Sequence, residues 1–529
     1  MIYSSFAFIF IFLPITLIGA LVLRRGAALY VWLIACSLLF YCYWNPSHWW
    51  VLVASIVVNY SLGESIERTK SDGVLYAAVF LNLVFLASFK YLGFFSTVVL
   101  PADFLPDHLN NIALPLGISF FTFQQIAYLI DRKNDNVTQH GFLYYALFIV
   151  FFPQLIAGPI VHQKEVLPQI RSRRFLTKFG TNFIVGMTIF SIGLFKKVMI
   201  ADTLSLYASP AFTAADAGVQ LSFFEAWSAT LAFTFQLYFD FSGYSDMAVG
   251  LARIFNVRLP INFYSPYKAR NIIDFWRRWH ITLSRFLRDY LYIPLGGNRK
   301  SGLRMYGNLL ITMSLRGIWH GAGWTFILWG LYHGFLVALA HGGSALFRRL
   351  GPASRGLQGE RTLATLQIGV TFALVSFGWV LFKSGTLASA LSMYKSMTGW
   401  TGIDLPRTLL GLLPERMDAS QGSGAALRFG GAFPNELADW GMGYVAIFAA
   451  AAVAFFFPNT TQIMRRVHRP VDPTGVELHT SEQANSTAHA GIKGLVWRPT
   501  LLWAVTVGSL FALSLIYLSN PQEFLYFDF

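Results

Sequence analysis

Long apolar stretches recur along almost the whole chain, and short polar or charged segments separate them. A bilayer core of about 30 Å needs roughly 20 apolar residues per helix. The pattern therefore predicts an all-α integral membrane protein, a multi-span helical bundle of about 11 to 13 spanning or re-entrant segments. The predicted segments are 6–23, 29–45, 49–63, 74–89, 112–130, 142–160, 182–199, 222–241, two within 307–346, 363–382, 442–457 and 500–518.

Prolines and glycines interrupt two of these stretches. Pro115 and Gly117 lie in one of them, and Pro153, Gly158 and Pro159 lie in the other. Broken helical backbone at membrane depth is tolerated only where it is buried in protein or lines a water-filled cavity. We therefore expect a helical bundle with an internal site.

The composition excludes an ordinary soluble enzyme. Of the 529 residues, 55% are hydrophobic and 12% are charged, whereas a soluble domain carries about 25% charged residues. The net charge of +14 does not indicate nucleic-acid binding, because most of it lies in short loops, where membrane proteins collect cytoplasmic Lys and Arg. We expect a single domain, 1–529, surrounded by membrane lipid.

The same charge rule predicts an orientation. The stretch from Arg253 to Arg304 is rich in arginine and poor in acidic residues, which is typical of a cytoplasmic segment. Arg24 and Arg25 directly follow the first apolar stretch and no basic residue precedes it, so this stretch is a span entering from outside rather than a signal peptide. No Lys or Arg follows Arg498. Both termini are therefore expected on the extracytoplasmic side.

Two segments between the predicted spans differ from the rest in composition. The segment 384–441 has balanced charge and several glycines, and we expect it to be the longest external excursion. The segment 471–495 is rich in Thr, Ser, Ala and His, which is typical of a flexible loop, here on the cytoplasmic side.

Several common catalytic patterns are missing from the sequence. Cys36 and Cys42 lie in one apolar stretch and indicate neither a disulfide framework nor a metal site. No metal-ligand spacing, phosphate loop or GxSxG motif occurs. We therefore expect no bound metal and no permanently bound cofactor, and hydrolase and nucleotide-motor functions have no support.

The segment 274–290 combines an apolar helical face with arginines. Arg277, Arg278 and Arg285 lie on the polar side. One interpretation is an interfacial amphipathic helix whose arginines meet anionic lipid headgroups. The other is a cytoplasmic mouth whose arginines also attract an anionic substrate, since guanidinium pairs well with phosphate. The apolar face consists of Phe275, Trp279, Leu283, Phe286 and Tyr290.

Three histidines are candidates for chemistry within the apolar chain. His320 lies between two apolar stretches beside glycines, and an ionisable residue at membrane depth is by default a functional-site hypothesis. Histidine is also the side chain best suited to moving a proton near neutral pH. The alternative for His320 is a hydrogen bond that packs helices. His280 by itself favours a buried, hydrogen-bonded role, and His333 fits either role.

Two further features involve carboxylates and the C-terminal tail. Asp240 and Asp246 lie at the end of an apolar run, where they are expected to orient a histidine, bind a proton or cap a helix. The tail 523–529 is aromatic where an ordinary tail would be polar. It fits either an interfacial aromatic belt or a segment that folds back and presents the Tyr526 phenol to an internal site.

Four long motifs resemble those of the membrane-bound O-acyltransferase family, and the bacterial branch that contains the alginate O-acetylation membrane protein is the most similar. The motifs 114–120 and 151–159 also match, so the resemblance covers about residues 1–400, and the last span with its aromatic tail occupies 500–529. The four motifs are Gln236–Gly250, Phe275–Ser284, Leu287–Lys300 and Trp319–Trp324.

The resemblance implies a site and a reaction. In this family the two motif histidines, which correspond to His280 and His320, lie in a tunnel through the membrane, with His320 regarded as catalytic. The donor would be cytoplasmic acetyl-CoA, acting as a substrate, and the acetyl group would leave on the outer side. We assign Trp319, the two aspartates and the three arginines named above to substrate binding.

The resemblance also implies partners and a compartment. The tail is similar to a carrier tail in teichoic acid D-alanylation, in which a tyrosine takes the acyl group, so Tyr526 becomes an acyl-relay candidate. A periplasmic serine-hydrolase-like (SGNH) O-acetyltransferase would then modify the polysaccharide, together with the polysaccharide synthesis and export machinery. The expected compartment is the bacterial inner membrane. Alginate, cellulose, peptidoglycan and other glycans remain open as the acceptor.

Two other functional classes are compatible with a membrane bundle. A transporter or flippase that moves an acyl group or a lipid-linked substrate would make no bonds, but it is expected to show two corresponding halves with paired broken helices, and no such repeat is visible. A structural scaffold for a polysaccharide synthase would not need His320.

Overall fold

The apolar stretches form helices, as predicted. The computed structural model describes every residue except 25, 44–45, 95–113, 135–140, 300–301, 351–356, 406–426, 430–436, 469–470, 472–494, 520–524 and 526–529. Within the described part, five helical segments are long and apolar enough to cross a membrane, and shorter apolar helices accompany them. The five are Trp49–Thr69, Asp72–Lys90, Phe179–Asp216, Trp324–Gly343 and Glu360–Lys383.

The helices follow one another along the chain as α1 to α19. Their bounds are α1 Leu13–Leu23, α2 Ala27–Cys42, α3 Trp49–Thr69, α4 Asp72–Lys90, α5 Ile118–Lys133, α6 Phe142–Val150, α7 Gln163–Arg171, α8 Phe179–Phe195, α9 Asp202–Asp216, α10 Phe223–Ile254, α11 Ile272–Arg278, α12 Ile281–Leu287, α13 Gly302–His320, α14 Trp324–Leu350, α15 Leu357–Lys383, α16 Leu387–Met397, α17 Leu437–Phe456, α18 Thr460–Met464 and α19 Leu501–Ile516.

Short irregular helical turns complete the chain. The π-helical turn Ala7–Phe12 leads into α1, Lys196–Ala201 joins α8 to α9, and Arg288–Tyr292 extends α12. The strands β1 Ile403–Leu405 and β2 Leu427–Phe429 pair in parallel. This small pair, inside the predicted excursion 384–441, is a minor departure from an all-α fold. Nearly half of that excursion, almost all of 471–495 and Tyr526 lie outside the described residues.

The two stretches with prolines and glycines are broken as expected. Helix α5 starts only at Ile118, after Gly117 with a left-handed φ of 69°. Helix α6 ends at Val150, and the non-helical residues from Phe151 to His162 are all buried. Irregular backbone here is therefore enclosed by protein, as membrane depth requires.

The predicted boundary of the segment 222–241 is wrong. Helix α10 continues to Ile254, through the polar run that we expected to end it. Every residue from Ala232 to Phe255 is buried except the partly exposed Asp246. The helix continues because its two aspartates find lysine partners on a neighbouring element, so both carboxylates are paired inside the bundle.

Glycine pairs set the distance between α8 and the central helix α10. A Cβ on Gly250 would lie 2.5 Å from the Gly186 carbonyl oxygen, and a Cβ on Gly243 would lie 2.7 Å from the Gly193 carbonyl oxygen. The spacing of seven residues is the same on both helices. Small residues at such positions let helix backbones approach closely in membranes, where dispersion and weak polar contacts drive association.

A buried amide cluster joins α3, α4 and α5. The Asn59 amide donates to Asn82 Oδ1 at 3.1 Å and to Gln125 Oε1 at 2.8 Å, and the Asn82 amide donates back to Asn59 Oδ1 at 2.7 Å. Ser55 Oγ donates to Gln125 Oε1 at 2.7 Å. These hydrogen bonds fix the mutual rotation of the three helices within their apolar middle parts.

The close α8–α10 contact predicts that one methyl group added at Gly250 destabilises the protein. Gly250→Ala should lower the free energy of unfolding by roughly 1 to 3 kcal/mol, because the new Cβ overpacks a backbone contact that cannot relax cheaply. Gly369→Ala is the matched control, since Gly369 lies inside α15 with nothing within 4 Å of its Cβ position. Thermal unfolding of the two variants in detergent measures the difference. Equal melting temperatures would contradict the close contact.

Candidate active site

The predicted amphipathic helix 274–290 is not continuous. Helix α11 ends at Arg278, Trp279 is extended, and His280 has a left-handed φ of 45° before α12 begins. The segment around Asn262 explains the break: the Tyr264 N–H donates to the Arg278 carbonyl, and the Ile281 N–H donates to the Asn262 carbonyl, both at 3.0 Å. Helical periodicity missed the break because these partners are distant in sequence.

The interfacial interpretation of this segment is also wrong. Four of its five predicted apolar-face residues, Phe275, Trp279, Leu283 and Phe286, are at most 5% exposed. They face the interior of the bundle rather than a bilayer surface. The broken segment therefore carries His280 into the core, where this histidine is fully buried.

His280 and His320 lie against the same indole ring. The Trp319 ring centroid is 6.0 Å from that of His280 and 4.8 Å from that of His320. Phe241 of α10 packs edge-on against His280 at 4.8 Å, and Trp329 packs edge-on against His320 at 5.2 Å. Two histidines from separate elements thus share one aromatic cluster, which also contains Trp319, a residue that we assigned to substrate binding.

Arg316 is a site residue that the sequence analysis missed. Its side chain is 2% exposed, its Nη2 donates to Ser284 Oγ at 2.9 Å, and its guanidinium carbon lies 4.0 Å from the Trp276 ring centroid. It is within electrostatic range of His280, His320 and His333. The signal was available, because residues four apart share a helix face and Arg316 precedes His320 by four.

His333 lies at the edge of the same cluster. Its ring is fully buried and packs edge-on against Trp276 and Trp329, both at 5.0 Å. Neither ring nitrogen has a hydrogen-bond partner within the described part of the chain. A Cβ on Gly378 would lie 2.6 Å from its Nε2, so α15 covers this ring closely.

Lys90, the last residue of α4, and the adjacent Tyr91 hold the C-terminal end of α13, where His320 lies. Lys90 Nζ donates to the Trp319 carbonyl at 2.5 Å and to the His320 carbonyl at 3.3 Å, and the Tyr91 hydroxyl donates to the Ile318 carbonyl at 2.9 Å. The last carbonyls of a helix lack intrahelical partners and attract positive charge. These contacts therefore fix where α13 ends and where His320 lies.

The glycines near His320 serve packing rather than a ligand. A Cβ on Gly317 would lie 2.2 Å from the Phe326 carbonyl oxygen, and a Cβ on Gly330 would lie 2.4 Å from the Met313 carbonyl oxygen. These two glycines therefore permit a tight α13–α14 contact.

The two aspartates of α10 pair with lysines. Asp240 is 1% exposed, and its Oδ1 lies 2.7 Å from Lys197 Nζ. Asp246 Oδ2 lies 2.6 Å from Lys196 Nζ and accepts from Thr460 Oγ1 at 2.5 Å. Their described partners are therefore lysines and a hydroxyl rather than the histidines that we expected them to orient.

Asp240 has one more partner, from the end of the chain. The Leu525 N–H donates to Asp240 Oδ2 at 3.1 Å, and Leu525 is 5% exposed. The backbone beside Tyr526 thus lies inside the bundle rather than in an interfacial belt. Tyr526 itself is outside the described residues.

The three predicted arginines have different surroundings. Arg277 is exposed. Arg278 Nε lies 2.8 Å from Asp274 Oδ1. Arg285 forms a bidentate pair with Glu165, with Nη2 donating to Oε2 at 3.0 Å. Two of the three guanidiniums are therefore bound to carboxylates of the chain itself.

A second buried cluster lies beside the Arg285–Glu165 pair. The Tyr290 hydroxyl lies 3.0 Å from Asp131 Oδ1 and 3.0 Å from His162 Nδ1. Burial, with a smaller effect of the neighbouring cations Arg285 and Lys164, lowers the pKa of His162 to about 3. This histidine is therefore neutral at pH 7, and its Nδ1–H donates to the Tyr290 oxygen, whose own hydroxyl hydrogen goes to Asp131. Within the described residues no cluster of three His, Cys, Asp or Glu side chains is placed to hold a metal ion.

Comparison with known proteins identifies a family and several relatives of this chain. The model of the membrane-bound O-acyltransferase (MBOAT) family matches residues 111–357. The chain is 43% identical over 441 residues to a peptidoglycan O-acetyltransferase of Helicobacter pylori, covering 77% of this chain and 81% of the relative. It is 35% identical to a probable alginate O-acetylase of Azotobacter vinelandii over 546 residues and 100% of both chains. A teichoic acid D-alanyltransferase of Bacillus subtilis is 28% identical over 350 residues, covering 63% of this chain and 82% of the relative.

The different surroundings of Arg285 and Arg277 predict that their substitution has different effects on protein stability. Arg285→Gln should lower the free energy of unfolding by roughly 3 to 5 kcal/mol, because it leaves the buried Glu165 carboxylate without its cation. Arg277→Gln should change it by no more than about 0.5 kcal/mol, since the side chain is exposed. Thermal unfolding in detergent compares the two variants. A double variant with Glu165→Gln should recover part of the loss, and the absence of recovery would contradict the pairing.

Proposed function

Because the chain belongs to the membrane-bound O-acyltransferase family and is a multi-pass membrane O-acyltransferase, we propose that it passes acetyl from cytoplasmic acetyl-CoA across the membrane. The acceptor is an extracytoplasmic polysaccharide. Acetyl rather than D-alanyl is favoured because the two relatives of higher identity are named as O-acetylating proteins. Both of these names also specify a glycan-containing polymer, peptidoglycan or alginate, which supports this class of acceptor.

One observation carries the proposal: His280 and His320 lie on separate elements and contact the same Trp319 ring in a buried cluster. A water-poor, aromatic site suits an acyl transfer in which hydrolysis must be avoided. The buried cluster also places an imidazole base at membrane depth. A transporter that makes no bonds would not need such a base.

The reaction needs a nucleophile and a base. In the proposed step the Tyr526 phenol oxygen attacks the thioester carbonyl carbon while His320 takes the phenol proton. The new ester bond forms as the carbon–sulfur bond breaks, and the proton passes from His320 to the leaving thiolate. The products are acetyl-Tyr526 and free coenzyme A. The thioester is already activated, so the step consumes no nucleotide.

The position of Leu525 supports the tail as the relay. Its N–H donates to Asp240 Oδ2, and Asp240 is followed in α10 by Phe241, which packs against His280. The residue before Tyr526 is thus anchored one residue away from a side chain of the histidine cluster. An aryl ester is a fairly good leaving group, which suits a carrier that passes acetyl to a periplasmic serine-hydrolase-like acetyltransferase.

The exposure of Arg277 supports the proposal that acetyl-CoA binds at the arginine-rich stretch. Arg277 lies in the arginine-rich stretch Arg253–Arg304 and has the exposure needed to attract the phosphates of acetyl-CoA. Arg278 and Arg285 act on the donor indirectly in this proposal, by holding the segment that carries His280. The three arginines keep their place in substrate binding, with different roles.

His320→Ala is expected to lower acetyl transfer by roughly 10² to 10⁴, the usual effect of removing an acid–base group. Transfer from radiolabelled acetyl-CoA to polymer, in membranes that contain the partner acetyltransferase, measures this loss. His48→Ala is the control, because His48 lies between α2 and α3, outside the aromatic cluster. Near-normal transfer by a folded His320→Ala protein would remove this residue from the mechanism.

Tyr526→Phe is expected to abolish polymer acetylation, because it keeps the ring and deletes only the nucleophilic oxygen. Mass analysis of the C-terminal peptide after incubation with acetyl-CoA should show one added acetyl on wild-type protein and none on His320→Ala. If Tyr526→Phe retains activity and only Tyr526→Ala loses it, the ring anchors the tail and acetyl moves directly from the thioester to an external acceptor.

A further inference from the structure

Lys90 is a half-buried lysine that has no carboxylate partner among the described residues. It ends α4, and two of its contacts go to backbone carbonyls, those of Trp319 and His320. An ammonium group carries three N–H donors, so the two carbonyls leave one donor available. Its nitrogen also lies 5.7 Å from the Trp319 ring centroid.

A cavity of about 70 Å³ lies beside this ammonium group. A single water needs about 10 to 15 Å³ on the same measure, so the cavity has room for a small organic group. Its lining includes Lys90, Gly117, Ser119, Phe120, Ala157 and Trp319.

The two broken segments of the bundle form the cavity wall. A Cβ on Gly117 would lie 3.1 Å from the Leu155 carbonyl oxygen, so the backbones of residues 115–118 and 155–157 touch. Gly117 permits this with its left-handed φ of 69°. The cavity is therefore a built feature of the irregular backbone rather than a gap between straight helices.

We propose that this cavity binds a carboxylate, with the Lys90 ammonium as its counter-ion and the Ser119 hydroxyl as a second donor. Even a half-buried ammonium group is partly desolvated, and an anion at hydrogen-bond distance offsets that cost. The single cation and the small volume fit a carboxylate. Phe120 and Trp319 supply aromatic walls for the group that carries it.

The position of the cavity suggests which substrate carries the carboxylate. Helix α13 starts at Gly302, close to the arginine-rich stretch, and ends at His320 beside the cavity. The cavity is lined by Trp319, whose ring also contacts His280, so it adjoins the proposed transfer site. Acetyl-CoA carries no carboxylate, so a carboxylate held here belongs to another substrate of that site, and an acidic sugar of the polymer is the class that fits. This placement rests on the proposed function, whereas the carboxylate site does not.

Binding of small acids to the purified full-length protein in detergent tests the site without acetyl-CoA or transfer. Glucuronate should bind, with an affinity that falls as salt rises, and glucose should not. Comparison with acetate shows which part of the ligand is recognised. If acetate binds more weakly than glucuronate, the sugar contributes to recognition, and if both bind equally, the carboxylate alone is recognised. Failure of acetyl transfer leaves this readout unaffected.

Four variants make the test specific. Lys90→Met should weaken glucuronate binding by roughly tenfold or more, and Lys90→Arg should retain it. Lys133→Met is the matched control, because Lys133 pairs with Asp72 at the other end of α4. Since Lys90 also holds the end of α13, Ala157→Leu provides a second route: it keeps the lysine and fills the cavity, so binding should be lost. Wild-type protein that binds no glucuronate, or Ala157→Leu protein that binds it normally, would overturn the proposal.

Discussion

The close backbone contact between α8 and α10 is the constraint on which the rest of the structure depends. Gly186 and Gly193 face Gly250 and Gly243, so no side chain separates the two helices. The π-helical turn that follows α8 then brings Lys196 and Lys197 against Asp246 and Asp240. Wider spacing would leave these charges unpaired inside the bundle, where each costs several kcal/mol.

The paired charges in turn keep α10 helical through its polar run and place Phe241 against His280. The opposite side of the cluster depends on α13, whose end is held by Lys90 and Tyr91 and whose packing on α14 depends on Gly317 and Gly330. Trp319 lies between the two sides and contacts both histidines. The cluster is therefore assembled from elements that are individually positioned by backbone contacts and charge pairs.

Arginine side chains have two uses in this protein, and the extent of their burial distinguishes the two. Arg278, Arg285 and Arg316 are buried and bind Asp274, Glu165 and Ser284, so they shape the segments that carry the histidines. Arg277 is exposed and keeps its charge available to solvent. Sequence periodicity put Arg277, Arg278 and Arg285 on one polar face, because it does not register carboxylates that approach from distant parts of the chain.

The sequence by itself determined the membrane class, the helical fold, the breaks near Pro115 and Pro153 and the choice of His320 as a candidate. Hydrophobic length, proline chemistry and the cost of ionisable groups in lipid all act locally. Tertiary structure alone decided the break at His280, the continuation of α10 to Ile254, the role of Arg316 and the partners of Asp240. Each of these depends on a contact between residues remote in sequence, of which the Leu525–Asp240 hydrogen bond is the longest-range example. Local periodicity carries no information about such partners, since only the folded bundle brings them within hydrogen-bond distance.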